Sequence, residues 1–154
     1  MPPWDGHLFV NDAAKFWWKA NTWEELVLRE EMKGKGFAGW LRNIPKKPWA
    51  LCVPCGQGRA KPMYPDMLVF RREDGKVKID ILDPHDDSRA DAAEKAAGLA
   101  DFARKHRASF GRIETIRVVK GKIERLRLHQ ESVRDKVIKV TDLKHLQDLY
   151  EQLA

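Results

Sequence analysis

Two aspartates stand where a short hairpin would bring them together. Asp66 opens Asp66-Met67-Leu68-Val69-Phe70 behind Tyr64-Pro65, and Asp83 closes Ile79-Asp80-Ile81-Leu82-Asp83 ahead of Pro84-His85. The apolar runs carrying them read as strands over Met67 to Arg71 and Val77 to Asp83. Asp74-Gly75 between them is a two-residue hairpin signal, because both positions tolerate positive φ. Antiparallel pairing then lays the start of one strand beside the end of the other, so the two carboxylates meet at one sheet edge. That arrangement suits a hard divalent cation. Magnesium, with manganese as its substitute, prefers oxygen ligands, keeps several waters and needs only one or two protein carboxylates. An ion so held neutralises charge on a phosphodiester and makes a bound water nucleophilic.

Asp83 continues the alternation of Val77, Ile79 and Ile81, so its carboxylate projects from a face that is otherwise apolar. An unpaired charge there is costly to bury, and a bound cation or a lysine offsets that cost. Lys95 meets the requirement. It recurs with Leu99, Phe102 and His106 at helical spacing in a helix read over Ser88 to His106, and an ammonium there could orient water or stabilise charge on the phosphate. Plainer readings stand beside these. Asp66 is also a turn residue after proline, Asp83 a capping or loop aspartate, and Lys95 a lysine snorkelling from the rim of the core. Asp80, on the opposite face, reads as a solvated strand residue.

Several other elements must position this pair. Thr22-Trp23-Glu24-Glu25 has the pattern of a capping box, predicting a helix over Trp23 to Met32 that stops at Gly34 or Gly36. Further strands are expected at Phe37 to Arg42 and Trp49 to Val53, and a second hairpin over Ile113 to Val119 and Ile123 to Leu128 around Lys120-Gly121. Helices over Ser132 to Ile138 and Asp142 to Leu153 close the chain within residues 131–154. The order describes a mixed sheet flanked by helices, α/β or α+β, in one domain over residues 1–154.

The formal charge of +6, from 29 Lys and Arg against 23 Asp and Glu, attracts polyanions and points towards nucleic acid as a partner, beside the plainer reading of a soluble basic surface. Its distribution is uneven, since no acidic residue occurs from Lys33 to Tyr64. Arg42, Asn43, Lys46, Lys47, Arg59 and Lys61 in that stretch are the candidate DNA contacts, although a charge run is more often a solvated loop. The six tryptophans read mainly as core, with base stacking open to an exposed one. Cys52 and Cys55 have redox-pair spacing without the strand-then-helix context of such pairs, and further zinc ligands are not evident. No signal-peptide pattern or membrane-length apolar run is present, so a cytoplasmic location is expected. A phosphate-binding loop with its lysine is also missing, which puts any ATP-driven motor on another domain or chain.

Pro65-Asp66, then Asp83 on a following strand, then a helix resembles the PD-(D/E)xK nuclease superfamily. A closer likeness runs through His7-Leu8-Phe9-Val10, Asn21-Thr22-Trp23-Glu24, Gly39-Trp40-Leu41-Arg42-Asn43, Tyr64-Pro65-Asp66, Ile81-Leu82-Asp83-Pro84-His85 and Lys95-Ala96-Ala97-Gly98-Leu99-Ala100. Together these look like the C-terminal domain of bacterial DEAD/DEAH-box helicases related to the restriction subunits of type III restriction systems. The resemblance implies a restriction-endonuclease-like core of helix, three strands, helix and strand. It implies DNA cleavage with magnesium held by Asp66 and Asp83, and a helicase or ATPase domain as partner. The family pattern has a lysine two residues after the second acid, where this chain has His85; the likeness then gives the lysine's role to Lys95, with His85 sharing it or binding phosphate. Glu24, Glu25 or Glu30 would supply a third carboxylate. A nuclease-like fold that only binds DNA within a helicase is the second reading.

Overall fold

The computed structural model describes residues 2–56, 61–86 and 89–154. In chain order the strands are β1 (Pro3–Trp4), β2 (Phe16–Trp17), β3 (Phe37–Arg42), β4 (Val53–Cys55), β5 (Lys61–Met63), β6 (Met67–Glu73), β7 (Lys76–Pro84), β8 (Ile113–Val119) and β9 (Lys122–Arg127). The helices among the described residues are α1 (Thr22–Met32), α2 (Ala92–His106), α3 (Glu131–Ile138) and α4 (Leu143–Leu153). The result is an α+β fold around one five-stranded mixed sheet, ordered β3-β6-β7-β8-β9. β3 with β6 and β6 with β7 pair antiparallel, β7 pairs parallel with β8, and β9 returns antiparallel to β8. A parallel pair needs a crossover, and α2 supplies it. None of the helices among the described residues is long and apolar enough to cross a membrane.

Both hairpin signals act through backbone geometry. Asp74 and Gly75 have φ of 53° and 75°, and Lys120 and Gly121 have 50° and 75°, the left-handed values that match the twist of paired strands. The first turn fixes the β6–β7 register at Met67↔Leu82, so one further step sets Asp66 beside Asp83.

Alternation along β7 sorts the core into two layers. Ile81, with Ile113 and Leu126, packs against Leu99, Ala100 and Ala103 of α2 and Val137 and Leu149 behind them. Leu82, with Met67, Val69 and Ile116, packs against Val27 and Leu28 of α1 and a tryptophan cluster of Trp4, Trp18 and Trp40. Each of the Val, Leu, Ile and Met side chains contributes about 1.5–3 kcal/mol on burial, which holds both helices to the sheet. Val77 departs from the expected alternation and is exposed, because the hairpin end of β7 extends beyond both layers.

Several expected boundaries move. The cap of α1 is Asn21, whose Oδ1 accepts from the Glu24 N–H at 2.9 Å while Glu24 Oε2 accepts from the Asn21 N–H at 2.8 Å. Asn caps as well as Thr, and the one-residue shift transfers the reciprocal carboxylate from Glu25 to Glu24. The strand expected over Trp49 to Val53 is instead Val53–Cys55, paired with Lys61–Met63 in a separate ribbon. Leu51 cannot join a strand ladder because both its backbone polar groups bond the Asn43 amide. Helix α2 begins at Ala92; Ser88, its expected start, lies outside the described residues, as does Arg59.

Asp80 is not solvated. It is fully buried, accepting from the Arg112 N–H at 2.7 Å and paired with the guanidinium groups of Arg71 and Arg112. Arg112 also binds Glu31 of α1, and Arg125 bridges Glu31 and Glu114 at 2.9 and 2.7 Å. This ionic layer ties the C-terminal end of α1 to the sheet. It escaped the sequence reading because its partners are far apart in the chain, Arg112 and Glu31 by 81 residues.

Candidate active site

Proline 65 is buried and delivers Asp66 at the bend that opens β6. Its neighbour across the hairpin, Asp83, is 3% exposed, and one carboxylate oxygen accepts from the Asp66 backbone N–H at 3.1 Å. The two residues are therefore joined by a direct hydrogen bond at the sheet edge. Burial pushes the Asp66 carboxyl well above the usual carboxylate range, and the negative charges of Asp83 and Glu24 push it further against the weaker pull of Arg42 and Lys95. Asp83 is also raised by burial, opposed by His85, the Asp66 N–H and Lys95, and reinforced by Glu24. A half-buried acid and a buried one are thus held where ionising both is unfavourable.

Helix α1 brings Glu24 to the same place. The capping box fixes Glu24 at the first turn, and its charge is felt by both aspartates. Glu25 is committed to Arg29 and Glu30 to Arg125, both on exposed pairs. The third carboxylate at this edge is therefore Glu24, legible in advance only as one of three candidates.

Lys95 and His85 approach from the α2 side. Lys95 Nζ is 3.1 Å from Asp91 Oδ2, and His85 Nε2 is 3.6 Å from Asp91 Oδ1, so Asp91 gathers both basic groups. Burial raises the Asp91 carboxyl, but the hydrogen bond and charge of Lys95 and the charge of His85 outweigh it and hold the group low. Sequence reasoning missed Asp91, although its position four residues before Lys95 on one helix face was a usable signal. His85 is anchored through its backbone N–H to the Ile116 carbonyl at 3.0 Å, and its Nε2 is buried without a hydrogen bond.

The candidate DNA contacts divide. Lys46 and Lys47 are exposed on the loop after β3. Arg42 is half-buried with its guanidinium 5.1 Å above the Trp18 ring, and Lys61 is exposed, 3.9 Å from Glu94. Asn43 is a correction: it is buried, with its amide donating to the Leu51 and Pro65 carbonyls and accepting from the Leu51 N–H, all at 2.8 Å. Its side chain holds the segment leading to Asp66 and has no face toward a phosphate. Cys52 is exposed and Cys55 buried, both as free thiols. Cys55 sits where α2 meets β4, so close that a Cβ on Gly98 would come 2.5 Å from its Cβ. Burial pushes its thiol up, which disfavours a reactive thiolate.

The donor set fits a magnesium or manganese ion in kind, since two adjacent carboxylates destabilised as anions are what a hard cation relieves. No group of three or more His, Cys, Asp or Glu side chains among the described residues is gathered closely enough to hold a metal. Two oxygen donors, with water, are the number magnesium requires.

Protein YagJ of Escherichia coli (strain K12) is 36% identical over 140 residues, covering 89% of this chain and 57% of that protein. This chain therefore spans little more than half the length of that relative. No solved structure matches. The sequence profile of the YagJ family matches residues 5–154, and the chain belongs to that family.

Proposed function

We propose that this chain is a magnesium-dependent DNA endonuclease domain of the PD-(D/E)xK type. The observation that carries the reading is the hydrogen-bonded pair Asp66 and Asp83, the first half-buried and the second buried, both raised, with Glu24, Lys95 and His85 around it. The succession α1, β3, β6, β7, α2, β8 supports it too, because it repeats the order helix, three strands, helix, strand expected of a restriction-endonuclease-like core. Asp66 and Asp83 would hold magnesium, with Glu24 reaching it directly or through water. When bound, the ion supplies charge neutralisation at the phosphate and a nucleophilic water. Asp83 is held in place by the Asp66 N–H, which keeps one oxygen oriented while the other stays available. Lys95, aimed by Asp91, stabilises negative charge on the phosphate, and His85 gives the same side a second nitrogen for an anionic oxygen.

A helicase or ATPase domain, in a longer chain or on a partner, would present the DNA. The second reading, a binding module without cleavage, draws on one feature: the position expected to hold lysine is His85, and Lys95 is already paired with Asp91. Incubating supercoiled plasmid and linear DNA with the protein in magnesium and in manganese separates the two. The nuclease reading expects cutting by wild type, and loss of cutting with retained DNA affinity in Asp66→Ala. Intact DNA with wild type in both metals would leave the binding module.

A further inference from the structure

We propose that residues 8–10 and the loop over residues 44–50 form a platform that stacks unpaired bases, so that the substrate is DNA with a single-stranded stretch. The proposal deepens the nuclease reading of Asp66 and Asp83 and rests on it for the chemistry that follows binding.

A patch of apolar side chains lies open here. Leu8, Phe9 and Val10 are 54%, 52% and 49% exposed, and Trp49 is 40% exposed with its ring centroid 5.2 Å from that of Phe9. Scattered exposed apolar residues are ordinary, but adjacent ones that include two touching aromatic rings mark a surface that something covers. On the loop side the charge is of one sign, whereas Asp5, paired with Lys15, and the exposed Asp12 flank the segment bearing Phe9. Lys46 and Lys47 are exposed on the same loop as Trp49, and the chain carries no acidic residue from Lys33 to Tyr64. Aromatic rings among cations fit bases on a phosphate backbone, whereas a purely apolar protein partner would leave the lysines without a role.

Both halves of the platform are tethered to the fold by hydrogen bonds. Asn43 closes the loop by its paired hydrogen bonds to Leu51, and Lys46 takes the left-handed backbone at φ 65° that the tight course demands. The segment bearing Phe9 is fastened by the Leu8 N–H to the Trp40 carbonyl at 2.9 Å and by His7. That imidazole lies flat on Phe16 at 3.6 Å and accepts the Arg42 N–H at 2.9 Å. Holding exposed rings on fixed backbone lowers the ordering cost of binding, which an incidental surface loop has no reason to do.

The platform is also coupled to the acids. The Asn43 backbone N–H donates to the Asp66 carbonyl at 2.9 Å and its side chain to the Pro65 carbonyl at 2.8 Å, while the same side chain grips Leu51, two residues beyond Trp49. Bases inside a duplex stack on each other and present no free π-face, so only an unpaired strand gains from these rings.

Binding of short fluorescein-labelled oligothymidylate and of a duplex of equal length, followed by anisotropy in EDTA with the full chain, tests the proposal before any cutting. Wild type is expected to prefer the single strand, Trp49→Ala to lose about ten-fold of that affinity with little change toward duplex, and Trp49→Phe to keep most of it. Replacing Lys46 and Lys47 by Gln should lower the salt dependence by about 1.4 in log–log slope. A duplex preference in wild type, or equal losses on both forms in Trp49→Ala, would overturn it. So would self-association of wild type, read by sedimentation, that Trp49→Ala abolishes, since a second copy would then be the occupant. Single-strand preference without cleavage in magnesium or manganese would support the platform and remove the nuclease reading, so the two failures are distinct.

Discussion

Asp80 and Asp83 lie three residues apart on β7, project from opposite faces and are both almost fully buried, yet they sit in opposite electrostatic environments. Burial raises the Asp80 carboxyl, but hydrogen bonds and charge from Arg71 and Arg112 outweigh it and hold the group below its usual range. At Asp83 the cations are fewer and less direct, a second acid adjoins, and the group is raised. Burial alone therefore does not decide whether an acid is held as an anion. The difference lies in whether the fold supplies the counter-charge, and an edge where it does not is one where a cation from solution has something to gain.

Exchanging charge for neutrality at each position should give opposite signs. Asp80→Ala leaves Arg71 and Arg112 without their shared partner and should destabilise the fold by about 3 kcal/mol, read as a lower denaturant midpoint. Asp83→Asn keeps an oxygen for the Asp66 N–H while removing repulsion, and should leave the metal-free midpoint unchanged or raise it by about 1 kcal/mol. A large loss in both would erase the contrast.

The pH dependence of metal-free stability should divide the same way. Asp66 and Asp83 have folded-state pKa values above the unfolded value of about 3.9, so the native state binds more protons and stability falls as pH rises through the raised values. Asp80 is depressed, so its contribution is present above the unfolded pKa and is lost as pH falls through the folded one. Thermal melts in EDTA should show a decline from mildly acidic to neutral pH that Asp83→Asn flattens, and added magnesium should restore most at the neutral end. An identical slope in the variant would assign the decline to other groups.

Glu24 sharpens the comparison with a smaller effect. Glu24→Gln preserves the capping box, because glutamine serves equally at that position, and removes one negative charge from the acidic edge. Helix content should hold, while magnesium affinity and cutting fall by about ten-fold, within the range for residues that support a metal site. Equal affinity would restrict Glu24 to its cap.

How far this was legible in the sequence depends on range. Asp74-Gly75 announced the turn, the turn set the register, and the register set Asp66 beside Asp83, each step resting on residues close in the chain. Alternation gave the faces of Ile81, Asp83 and Asp80 but not the burial of Asp80, since the arginines that neutralise it come from β6 and from the residue just before β8. Asn43 looked like one more polar residue in a basic stretch, and only the closure of its loop shows the amide turned inward. Nothing periodic marked the N-terminal segment, whose place depends on His7 stacking against Phe16 and on contacts to β3.

Manganese titration followed by electron paramagnetic resonance measures the contrast at its source. Wild type should show one saturable site, competed by magnesium and lost in Asp66→Asn combined with Asp83→Asn, whereas Asp80→Asn should keep it in whatever fraction remains folded. Free manganese throughout the wild-type titration, or a site untouched by neutralising Asp66 and Asp83, would contradict a cation-binding role for this pair.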